Sequence, residues 1–80
     1  MPTILRIKKY RFFFFSNEKG EPPHIHVESA ESYAKFWLDP IELEKSVGYN
    51  SKELSELRKI VERYRNLLWR KWNAYFNKIS

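Results

Sequence analysis

The sequence predicts an α+β domain: a small three- to four-stranded antiparallel sheet followed by a long C-terminal amphipathic helix. Three observations carry this prediction. Short aromatic or alternating segments, bounded by turn residues, fill residues 1–47. From Leu54 onward, apolar side chains recur every three or four positions. The charge also changes character between the halves. Residues 1–50 carry seven cations and seven carboxylates, whereas residues 51–80 carry eight cations and three carboxylates. The net charge of +5 therefore sits wholly on the helical part. Eighty residues accommodate one domain and one core, so 1–80 reads as a single unit, with a sheet region at 1–47 and a helical region at 50–78. There is no cysteine, which excludes a disulfide framework and a thiolate zinc site. Aromatic residues, 18% of the chain, supply the apolar area that so short a core needs.

Ile4 to Ile7 fits a short edge strand. Tyr10 to Ser16, with its run of four phenylalanines, is the clearest strand. Asn17 to Glu21 reads as a turn, and Pro22-Pro23 mark a strand boundary because proline donates nothing to a ladder. His24 to Glu28 alternates, with Ile25 and Val27 on one face and His24, His26 and Glu28 on the other. After a polar turn at Ser29 to Ser32, Ala34, Phe36 and Leu38 alternate with Tyr33, Lys35 and Trp37. Asp39-Pro40 closes that strand. Ile41 to Val47 fits either a further strand or a short helical turn.

Gly48 lets the chain turn before the helix. Asn50 reads as an N-cap, Glu53 completes a capping box, and Tyr49 with Leu54 matches a hydrophobic staple. Leu54, Leu57, Val61, Tyr64, Leu68, Trp72, Tyr75 and Ile79 form the apolar stripe. Unbroken, the helix would run about 40 Å. It must therefore kink near Arg65-Asn66 or project toward a partner.

Two surfaces could carry function. At 100° per residue, Lys52, Lys59, Arg63 and Arg70 fall within about 20° of one line, opposite the apolar stripe. Such a row can track phosphates, although Glu56 and Glu62 lie beside it. On the sheet, His24, His26 and Lys35 would share a solvent-facing surface with Tyr33 and Trp37. Imidazoles suit general acid–base work such as RNA cleavage by 2′-hydroxyl attack, and Lys35 would stabilise the developing phosphorane charge. The exposed rings of Tyr33 and Trp37 would stack on unpaired bases or be covered by a second subunit. A His-x-His pair with one carboxylate and no third histidine is a weak metal signal, so neither metal nor cofactor is expected. Neither Phe12 to Phe15 nor any other run is long enough to span a bilayer. Residues 1–7 lack an apolar run of signal length, and a cytoplasmic location is expected.

The strings Phe15-Ser16-Asn17-Glu18, Glu21-Pro22-Pro23-His24-Ile25-His26-Val27 and Ala34-Lys35-Phe36-Trp37-Leu38-Asp39-Pro40 resemble DUF4160, a family of short bacterial proteins of unknown function. The likeness continues through Glu42-Leu43, Gly48-Tyr49, Glu53-Leu54, Leu67-Leu68 and Trp72-Asn73 to Tyr75-Phe76. Ser29-Ala30-Glu31-Ser32 lacks the glycine often found at that turn. The resemblance implies a free-standing protein encoded beside a small partner protein, in an arrangement like a toxin–antitoxin pair, with this chain on the toxin side. The expected function is nucleic-acid binding, to RNA or DNA, with any chemistry being that of a metal-independent ribonuclease. The alternative is a protein–protein interaction module that binds that partner or itself as a homo-oligomer.

Overall fold

The computed structural model describes residues 3–14 and 20–77; Phe15 and Ser16 of the expected second strand, most of the Asn17–Glu21 turn, Lys78 and Ile79 lie outside them. Strands β1 (Thr3–Ile7), β2 (Tyr10–Phe13), β3 (His24–Ser29), β4 (Ser32–Leu38) and β5 (Ile41–Val47) form one antiparallel meander in the order β1-β2-β3-β4-β5. Helices α1 (Ser51–Arg63) and α2 (Arg65–Asn77) follow. The class is α+β, but the sheet has five strands rather than three or four, and the helix is divided. Ile41 to Val47 is a strand because its register with β4 extends the meander, with a bulge opposite Lys35/Phe36.

The register explains the core. Phe12 pairs with Val27, Val27 with Ala34, and Ile25 with Phe36, so these side chains share one face. Together with Tyr10, Phe14 and Leu38 they are buried against Leu57 and Val61 of α1 and Leu68, Trp72 and Phe76 of α2. The opposite face carries Arg11, Phe13, His24, His26, Glu28, Tyr33, Lys35 and Trp37.

Tight turns set this geometry. Lys8 and Ala30 adopt φ of 54° and 48° in the first and third hairpins, and the Asp39-Pro40 bond is cis. Gly48 has φ of 88°, and a β-carbon there would lie 2.6 Å from Ser32 Oγ, so only glycine fits. The expected capping box forms. Asn50 Oδ1 accepts from the Glu53 amide at 2.8 Å, and Glu53 Oε1 accepts from the Asn50 amide at 3.1 Å.

The helix breaks at Tyr64, one residue before the expected site and without proline or glycine. The Leu68 amide still donates to the Tyr64 carbonyl, at 2.9 Å. Arg65 anchors the break, donating through Nε to the Leu38 carbonyl at 3.1 Å and reaching Asp39 at 3.4 Å. Beyond it the buried series becomes Leu68, Trp72 and Phe76. Phe76 joins the stripe beside Tyr75, which packs partly buried against the core, and Phe14 touches Trp72, Tyr75 and Phe76.

Candidate functional site

Strand alternation does place His24 and His26 opposite Ile25 and Val27, but the expectation of solvent-facing rings is corrected. His24 is 0% exposed and His26 4%. Both faces of β3 are covered, because it is the central strand and its neighbours bear large rings. His24 packs edge-on to Trp37 at 5.6 Å and against Trp72 of α2 at 4.8 Å. It thus touches the helical layer that it was expected to face away from. Its Nδ1–H donates to the Pro22 carbonyl at 2.9 Å, which places the ring proton on Nδ1. His26 lies between Phe13 at 5.4 Å and Tyr33 at 5.7 Å, both near-parallel, and shares a 2.6 Å hydrogen bond with the Tyr33 hydroxyl. The two imidazoles meet edge to face at 5.0 Å.

The third residue of that cluster, Lys35, is also enclosed. Its side chain is 13% exposed, and its ammonium lies 3.1 Å from Glu21, 3.0 Å from Glu44 and 4.7 Å from the Trp37 ring centre. Burial, the largest influence, lowers its pKa, but hydrogen bonds to Glu44 and Glu21 outweigh burial and hold it above the ordinary lysine value. A cation already held by two carboxylates has little charge left for a phosphorane. Sequence reasoning missed Arg11. The β2–β3 register sets it opposite Glu28, with which it forms an ion pair, and its guanidinium covers the Phe13 ring at 4.5 Å. The signal available in the sequence was a cation and a carboxylate on adjacent strands. Tyr33 and Trp37 are half-buried members of this layer, engaged with His26 and with Lys35 and His24 respectively.

The helical surface is arranged differently. Lys52, Lys59, Arg63 and Arg70 are all exposed, although the break at Tyr64 separates Arg70 from the other three. Glu53 pairs with Lys9 at 3.2 Å, Glu56 with Lys8 at 2.8 Å and the Tyr10 hydroxyl at 2.9 Å, and Glu62 with Arg58 at 3.3 Å. Each α1 carboxylate is thereby occupied by another group. The Asn50 amide, then Lys9, hold Glu53 below the ordinary carboxylate range, and Lys8, then Tyr10, do the same for Glu56. Burial, then the bond to Glu56, pushes the Tyr10 phenol up to about 12. Among the described residues Lys52, Lys59 and Arg63 have no carboxylate within salt-bridge distance, and Lys52 and Lys59 flank a shallow depression with Ser55 and Glu56. The sequence made Glu56 and Glu62 neighbours of this row. It did not show that their charge is drawn toward Lys8 and Arg58.

Among the described residues no cluster of three or more His, Asp or Glu side chains could hold a metal ion, and no helix is long and apolar enough to cross a membrane. The fold and these surfaces define a small α+β protein, with a meander sheet on one side and a cationic helix on the other. The chain matches the model of the family described as a domain of unknown function, DUF4160, over residues 10–73, and it belongs to that family. No curated protein and no solved structure matches it.

Proposed function

We propose that this protein binds nucleic acid, RNA or DNA, through phosphate contacts on the outer face of α1. One observation carries this reading: among the described residues Lys52, Lys59 and Arg63 stay exposed with no carboxylate partner, while Glu53 and Glu56 pair with Lys9 and Lys8 outside the helix and Glu62 pairs with Arg58. Here α1 with its two pairing lysines, Lys8 and Lys9, carries six cations and three carboxylates, a surplus of three positive charges. Binding comes before cleavage in this reading. His24 and His26 are enclosed by rings and Lys35 by carboxylates, so a ribonuclease role for the three would require that layer to open. A toxin-like action would then follow from sequestering a nucleic acid.

Three phosphate contacts give a slope of log K against log salt of about −2.7 on duplex or about −2.1 on single strands. Filter binding at several salt concentrations measures it. Lys59→Ala and Arg63→Ala should each flatten the slope by about 0.7–0.9. Salt-independent binding, or none, would reject the proposal.

A second reading has one observation of its own. Among the described residues the exposed large apolar side chains, Leu43 at 38% and Val47 at 54%, both lie on β5, an edge strand of the sheet. An edge strand can be extended by a partner protein or a second copy. Pull-down of the neighbouring gene product, lost on Leu43→Lys and Val47→Lys, would favour it.

A further inference from the structure

We infer that the nucleic acid taken by α1 is a duplex, held by its phosphates alone, and not a single strand read by stacking. This rests on the nucleic-acid reading above and adds to it the class of polymer.

Proteins that bind single strands set aromatic side chains beside their cationic groove, because stacking supplies about 1–3 kcal/mol per base. The exposed residues of α1 are Ser51, Lys52, Ser55, Arg58, Lys59, Glu62 and Arg63, with no aromatic among them. The rings of the helices nearest the row are already engaged, Tyr64 with the Arg63 guanidinium at 5.7 Å and Trp69 with Arg65 at 5.8 Å. Trp72 and Phe76 are buried, and Tyr64, Trp69 and Tyr75 are partly buried against the core. The remaining stacking candidates, Tyr33 and Trp37, belong to the sheet face opposite Ala34, Phe36 and Leu38, which pack in the core with Leu57 and Val61 of α1. The sheet thus lies between the cationic row and those two rings, in a molecule whose shorter dimensions are 22 and 20 Å. Trp37 already carries Lys35 over its ring, and Tyr33 lies against His26.

Charge spacing favours the same polymer. Lys52, Lys59 and Arg63 span about 16 Å of helix, with intervals of about 10.5 and 6 Å. The three contacts find phosphates already fixed on a duplex, with one charge per about 1.7 Å of axis, whereas a flexible strand must first be ordered to fit the row.

The test is anisotropy with a labelled blunt duplex and with each of its strands alone, at equal phosphate concentration, while tryptophan emission is recorded. The expected result is several-fold tighter binding of the duplex, tryptophan emission unchanged, and affinity unaltered in Trp37→Phe. Equal or tighter binding of a strand, with tryptophan quenching that Trp37→Phe reduces, would overturn the inference and leave the nucleic-acid reading standing. Binding of neither polymer would overturn both.

Discussion

Single side chains decide most of what this surface can do, and several are fixed by local sterics. Gly48 combines a left-handed φ with a close approach to Ser32. Gly48→Ala should lower stability by about 2 kcal/mol, from left-handed strain and displacement of Ser32, measured by urea unfolding. His24 illustrates the difference between a titratable residue and an available one. Its ring fills space between Trp37 and Trp72, so His24→Ala should lower stability by about 2–4 kcal/mol. Affinity for polynucleotide at a temperature where the variant is folded should stay within about twofold of the wild type, because binding is assigned to the other side of the molecule. A large loss of affinity in folded His24→Ala would move the site to the sheet.

Among the elements, α1 is the one most legible in sequence and the most dependent on pH. Asn50 and Glu53 announce its start, and Asn50→Ala should cost about 1 kcal/mol, read as loss of thermal stability. Glu53 and Glu56 have folded pKa values below their ordinary ones. The folded state therefore binds fewer protons than the unfolded state in that range, and stability falls as pH drops below about 4.5 through the folded values. For Tyr10 the sign is reversed. Its phenol is held neutral up to about 12, so the stability it contributes is present below about 10 and is lost between there and about 12. Thermal unfolding across acid and alkaline pH should show both losses; Glu56→Gln should reduce both.

β3 was only half legible. Alternation assigned its residues to the correct faces, yet exposure depends on neighbours that alternation does not reveal. A five-stranded sheet makes β3 central, with Phe13 on one side and Tyr33 and Trp37 on the other enclosing the imidazoles. β5 was ambiguous because Ile41-Glu42-Leu43-Glu44-Lys45 fits both periods, and its pairing with β4, bulge included, was a tertiary outcome. The helix break was legible from length alone, but its place was not. That was decided by Arg65 reaching Leu38 and Asp39, a contact made across 26–27 residues.

For the molecule as a whole, the division of labour follows from charge. The sheet face ties two cations to three carboxylates, Arg11 to Glu28 and Lys35 to Glu21 and Glu44, whereas α1 keeps a positive surplus. Belonging to a family without an assigned activity, the chain is best tested by what that surplus attracts. The most direct measurement is the salt dependence of duplex affinity for the wild type and for a Lys52→Gln/Lys59→Gln/Arg63→Gln variant, with folding checked by circular dichroism. The expected outcome is a slope of about −2.7 in the wild type and close to zero in the folded variant. Equal slopes and equal affinity in the two proteins would contradict the assignment of function to α1.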